Sequence, residues 1–129
     1  MFSYLGGKKF QAKWIGSHFP VLKKYVEPFG GAFWVYFQNG IEFDKNVYND
    51  YNRFLTNIFY CARNKQKEFV KELLKYEPQK RDLFEQFKNE LVPLNYDFEL
   101  GDVEKAVKYL YIETNTYSGL TIEKAKFVD

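Results

Sequence analysis

Hydrophobic positions recur along this chain with two different spacings, and the change falls near residue 63. In the first part the apolar runs are short and end in glycines. Tyr25-Val26-Glu27-Pro28-Phe29-Gly30-Gly31-Ala32 reads as a short buried strand that enters a glycine-rich turn and opens a helix. Ala32 to Phe37 is apolar on every side, the pattern of a helix buried between layers, and Asn39-Gly40 supplies a stop. A second short strand is predicted at Val47-Tyr48, ending in Asn49-Asp50. Phe54, Leu55, Ile58, Phe59 and Ala62 then recur at the helical period through Arg63. Upstream, Phe10, Trp14 and His18, with Ile15 beside them, predict one apolar stripe on a short helix that Pro20 ends.

From Asn64 onward the pattern is helical throughout. Phe69, Val70, Leu73 and Leu74 form one amphipathic face; Leu83, Phe84, Phe87 and Leu91 form another after Pro78. Interleaved Lys and Glu mark the outer surfaces of both. Pro93 and Asn95-Tyr96-Asp97-Phe98 read as a loop. A third helix starts near Asp102 and buries Val103, Ala106, Val107, Leu110 and Tyr111; Asn115 to Leu120 is a cluster of turn-forming and polar residues. The domain reading is therefore 1–63, an N-terminal segment with a strand-helix-strand-helix unit, and 64–129, a helical region.

Composition narrows the class. At 129 residues the chain can bury a core of its own. The single cysteine, Cys61, excludes an internal disulfide and reads as a small core residue; no apolar run approaches the ~20 residues of a membrane span. The start of the chain lacks a secretory pattern, so a cytoplasmic setting is expected. The net charge of +2 is small, but Lys8, Lys9, Lys13, Lys23 and Lys24 all precede the first acidic residue, Glu27. That asymmetry suits a polyanion, and it also suits an ordinary solvated helix face. The abundance of Phe and Tyr fits base-stacking surfaces, a large core or coding bias. His18, the lone histidine, has no orienting partner nearby in sequence and is read as packed or solvent-facing rather than catalytic.

The candidate chemistry lies in the glycine turn and Asp50. Asp50 follows Gly30 by 20 residues, close to the ~20-residue offset at which a carboxylate ending the second strand meets ribose hydroxyls. Asp50 fits a helix cap equally well. The turn lacks G-x-G-x-x-G and G-x-x-x-x-G-K-[ST], which counts against a dehydrogenase and removes the P-loop reading.

Three segments in order, Tyr4-Leu5-Gly6-Gly7-Lys8, Val26-Glu27-Pro28-Phe29-Gly30-Gly31-Ala32 and Asn49-Asp50-Tyr51-Asn52, resemble the opening of the Dam-type (D12 class) adenine-specific DNA methyltransferases. The resemblance implies a partial Rossmann-like α/β domain and S-adenosylmethionine as cofactor. Tyr4, Gly6, Gly7 and Lys8 would close over it, Phe29, Gly30, Gly31 and Ala32 would form its floor, and Asp50 would hold its ribose. It also implies double-stranded DNA as partner. Ile112 to Leu120 is similar to the family's L-N-R-x-x-(Y/F)-N-G segment that approaches DNA, which makes Asn115, Tyr117 and Ser118 candidate DNA contacts. Glu113-Thr114 stands there where the family often has Asn-Arg, and Phe33 stands in the turn where many relatives have another glycine. The family's (D/N/S)-P-P-(Y/F/W) catalytic segment has no counterpart, since no two of Pro20, Pro28, Pro78 and Pro93 are adjacent. The expectation is thus an N-terminal, cofactor-binding portion, truncated or half of a split enzyme. It would have no catalytic residue of its own, no metal site, and a sheet edge left for a second chain or self-association. The alternative is a non-catalytic module that keeps the fold and binds nucleic acid or protein.

Overall fold

The computed structural model describes residues 6–21, 23–40, 42–117 and 121–128. Six α-helices and two strands follow in the order α1 (Ala12–Ser17), β1 (Lys24–Glu27), α2 (Trp34–Asn39), β2 (Lys45–Tyr48), α3 (Arg53–Asn64), α4 (Gln66–Leu73), α5 (Arg81–Leu91) and α6 (Val103–Thr114). The 3-10 turns Val92–Leu94 and Ile122–Lys124 flank α6. β1 and β2 pair in parallel, Val26 opposite Val47 and Glu27 opposite Tyr48, with α2 as their crossover.

Period-two alternation gives this small sheet two faces. Tyr25, Glu27, Asn46 and Tyr48 share one side. It packs under a second core of Ala12, Tyr25, Phe33 and Val35, where Tyr25 stacks on Phe43 at 5.0 Å between ring centroids. Val26 and Val47 share the other side, which is bare: Val26 is 59% exposed. The expectation of a buried strand is corrected accordingly. Only Tyr25 of β1 is buried, because no described element covers the Val26 face.

Two helix expectations are also corrected. Phe10, Trp14 and His18 all face solvent, Phe10 at 95% exposure. The buried side of α1 is Ala12 and Gly16 instead. Close contact is the reason. Asn39 Nδ2 of α2 donates to the Ala12 carbonyl at 2.9 Å, and a Cβ on Gly16 would meet the Asn39 side chain. The α2 segment is not apolar-buried on every side: it spans six residues, buries Val35 fully and leaves Phe37 half exposed. Gly40 ends it in the left-handed conformation as expected.

The main core lies in the helices. α6 runs through it, with Ala106, Val107, Tyr109, Tyr111 and Ile112 buried against Phe54, Leu55 and Ile58 of α3, Phe69 of α4 and Phe84, Phe87 and Leu91 of α5. On α4, Phe69 is the single buried position, and Leu74 beyond it is 79% exposed. Asn52 caps α3 by accepting from Phe54 and Leu55 N–H, and Asp102 caps α6 by accepting from Lys105 N–H. Buried Asn57 ties α3 to the turn before α6, accepting from Gly101 N–H at 2.7 Å and donating to the Asp102 carbonyl at 2.8 Å. Cys61 is fully buried, with its thiol pKa raised chiefly by burial.

Candidate functional site

The chain leaves both strands at the same end of the sheet, and there the glycine turn closes onto the segment after β2. Gly30 N–H donates to the Asn49 carbonyl at 2.9 Å, Tyr48 Oη donates to the Gly31 carbonyl at 2.8 Å, and Asn49 Nδ2 donates to the Pro28 carbonyl at 2.9 Å. Glycine is required at position 30, since a Cβ would fall 2.3 Å from the Tyr48 ring.

Asp50 organises the turn. Its Oδ2 accepts from Gly31 N–H at 2.7 Å and its Oδ1 from Asn52 N–H at 2.8 Å. One carboxylate thus joins the loop after β1 to the start of α3. Each oxygen keeps lone-pair capacity for a further donor. The cap of α3 is Asn52, so Asp50 is left facing the turn.

A cavity of about 270 Å³ opens here, lined by Gly6, Gly7, Lys8, Glu27, Phe29, Gly30, Gly31, Trp34 and Asp50. It brings together residues from all three sequence segments that carried the resemblance. Tyr4 lies outside the described residues. Ala32 is 1% exposed, belongs to the main core and does not line the cavity. Phe33, which stands in the turn, also points elsewhere. It takes a left-handed φ of 57° that favours glycine, and its ring is held by Tyr25, Tyr36, Phe37, Tyr48 and Phe59. Packing of six rings offsets that backbone strain, and the cavity stays clear of the side chain.

Glu27 and Trp34 line the cavity as well, Glu27 standing in the resembling segment without having been named as a site residue and Trp34 outside that segment. Glu27 accepts from Tyr25 Oη at 2.6 Å; burial raises its pKa, while that hydrogen bond and nearby Lys8 pull it down. Burial and the adjacent Glu27 carboxylate hold the Tyr25 hydroxyl above the usual phenol range. Lys9 Nζ sits 5.2 Å from the Trp34 ring centroid, so the basic segment before α1 reaches the cavity mouth. The signal for Glu27 was its place at the end of a strand beside a glycine turn; for Trp34 it was the first turn of the following helix.

The candidate DNA contacts divide. Asn115 is buried and donates to the Tyr111 carbonyl at 2.8 Å, which leaves its amide turned inward. Tyr117 is 71% exposed, and Ser118 lies outside the described residues. His18 is exposed, packs its ring against Trp14 at an interplanar angle of 53° and is bonded through Nδ1 to the Trp14 carbonyl. Among the described residues no three His, Cys, Asp or Glu side chains cluster as a metal site, and no helix is long and apolar enough to cross a membrane.

A parallel strand pair whose ends converge on a glycine turn and a carboxylate is the arrangement on which doubly wound α/β folds build their ligand crevices. The sequence profile of the D12 class N6 adenine-specific DNA methyltransferases matches residues 4–126, and the chain belongs to that family. No match is found among curated proteins.

Proposed function

We propose that this chain is the S-adenosylmethionine-binding part of a site-specific DNA adenine N6-methyltransferase. The observation that carries the proposal is Asp50, fixed by two backbone N–H groups at the rim of the glycine cavity with acceptor capacity to spare. The bound cofactor would supply an activated methyl group. Asp50 would accept from the ribose hydroxyls, Gly30 and Gly31 would let the ligand approach the backbone, and Gly6, Gly7 and Lys8 would cover it from the N-terminal side, with Tyr4 beside them. Glu27 would offer a carboxylate to a cationic group of the ligand. The cavity lies just below the ~300–1,000 Å³ span of enclosed ligand sites, so part of the cofactor would remain uncovered by these residues.

Further polypeptide is proposed to complete the site. Lys45 and Asn49 N–H groups point to the β1 side, which by alternation turns those of Asn46 and Tyr48 to the outer edge of β2. Beside that edge runs a groove of about 920 Å³ lined by Phe33, Tyr36, Phe37, Tyr48, Phe59 and Tyr60 among others. Among the described residues β2 pairs with β1 alone, and an edge strand beside aromatic walls favours an added strand, from a second chain or from self-association. A non-catalytic module that keeps the fold is the second reading, favoured by the absence of adjacent prolines. Methyl transfer to adenine is not expected from these 129 residues alone.

Calorimetric titration of the chain with S-adenosylmethionine tests the first reading. Binding heat is expected, and Asp50→Ala is expected to weaken it by at least about tenfold, the loss of roughly one charged hydrogen bond. No heat with the wild-type chain would overturn cofactor binding; unchanged affinity in Asp50→Ala would overturn the role of Asp50.

A further inference from the structure

Glu113 is the one described residue whose buried side-chain oxygens lack a hydrogen-bond partner of sound geometry. It is 2% exposed on α6, and burial pushes its carboxyl pKa up to about 7 against a smaller downward pull from Tyr109. Tyr109, one turn earlier, is itself 1% exposed and accepts from Asn52 Nδ2 at 2.8 Å. Asn52 in turn caps α3 through Oδ1 and gives its own N–H to Asp50. A chain of hydrogen-bonded polar groups, with Asp50 half-buried, therefore runs from Gly31 through Asp50 and Asn52 to Tyr109, and Glu113 lies one turn further along α6.

We propose that Tyr109 and Glu113 are positioning residues for Asp50, so that the packing of α6 against α3 sets the affinity of the glycine cavity for its cofactor. This deepens the reading of Asp50 as a cofactor ligand and rests on it. Neutral Glu113 is tolerated where it lies. Ionised, it has no described cation to meet: the titratable groups facing it are Tyr109 on its own helix and Tyr96 from the segment after α5. The Tyr96 hydroxyl is raised chiefly by burial, with Glu123, Tyr51 and Glu113 adding to it, so its surroundings are negative as well. A buried charge with no described cation to meet is relieved by loosening α6 from α3. That movement draws Tyr109 away from Asn52 and releases the N–H that helps to orient Asp50. By linkage, the cofactor binds the neutral form of Glu113 more tightly.

The test is calorimetry with S-adenosylmethionine on the full chain between about pH 6 and pH 8. Wild-type affinity is expected to fall about fivefold across this range. Glu113→Gln should hold the low-pH affinity throughout. Tyr109→Phe, which keeps the ring stacked on Phe54, should be weak at every pH. In the cofactor-free protein the Gly31 amide resonance should move with a midpoint near pH 7, and Glu113→Gln should abolish that movement, which serves equally if Tyr109→Phe does not fold. If the wild type binds with a flat profile, or if its pH dependence persists in Glu113→Gln and so belongs to Glu27, the positioning role is overturned while the cofactor reading stands. No binding by the wild type at any pH would overturn both, starting with the cofactor reading.

Discussion

The two parts of this molecule are held together by different means. Around the sheet, the buried core consists of Ala12, Tyr25, Phe33 and Val35 under a fan of aromatic rings, and one face of the sheet is bare. Around α6, side chains from α3, α4 and α5 close on a helix that is buried on nearly every side. The first part spends its polar groups on shaping a cavity from backbone, and the second spends apolar area on cohesion. A ligand-binding turn needs exposed N–H groups and approachable glycines, which are the features that weaken a core. The helical part supplies the missing rigidity through Asn52, which caps α3 while its side chain reaches Tyr109.

The sharpest way to break this division is to cut into the helical core. Ile112→Ala, at a fully buried position, should cost about 2–5 kcal/mol. Denaturant unfolding followed by tryptophan fluorescence checks it: Trp14 lies on α1 and Trp34, on α2, packs against both cores, so their signal should be lost together with the helical signal. If the tryptophan transition stays at the wild-type midpoint, the sheet part does not depend on the helical part for stability.

Glu113 gives the next largest effect, with its sign fixed by linkage. The carboxyl titrates near 7 in the folded chain against an ordinary value of 4.5. Well below pH 4.5 both folded and unfolded forms are protonated, and Glu113 adds no pH dependence to stability. As pH rises toward 7 the unfolded chain releases this proton first, so stability falls across that window, by roughly 3 kcal/mol once both forms are ionised. Glu113→Gln should remove this component and be the more stable protein at pH 8. Thermal melts of both proteins from pH 5 to 8 check it; parallel curves would show that the buried carboxyl is accommodated without cost.

The helical half was the more legible in sequence. Phe84, Phe87 and Leu91 on α5 and Ala106, Val107 and Tyr111 on α6 recur at the helical period, and burial by neighbouring helices follows directly from that period. Asp102 caps α6 where a helix start was expected, and Gly40 ends α2 where a stop was. The strand, turn and carboxylate order was legible too. What failed were inferences about which face is covered. Phe10 and Trp14 read as a buried stripe, yet α1 docks through Ala12 and Gly16, because close approach to Asn39 rewards small residues that no hydrophobic scale marks. Val26 read as core because its environment was assumed. Glu27 and Glu113 were passed over since burial of a carboxylate depends on partners far along the chain, Trp34 because an aromatic in an apolar run looks like core.

Val26 and Val47 give the smallest effect and bear most directly on the comparison. They are register partners on the bare face of the sheet, 59% and 39% exposed. Replacing both with Thr keeps β-branching, and with it the strand preference, while removing apolar surface that is already in water. The isolated chain should therefore change in stability by less than about 0.5 kcal/mol. A loss above about 1 kcal/mol in dilute thermal melts would mean that this face is covered in solution by the chain itself. If the loss appears only at high protein concentration, a second copy covers it, since association stabilises by mass action and vanishes on dilution. An unchanged melt at every concentration leaves the face free for added polypeptide, and then the sheet half, unlike the helical half, is an unfinished core whose stability is set by what docks upon it.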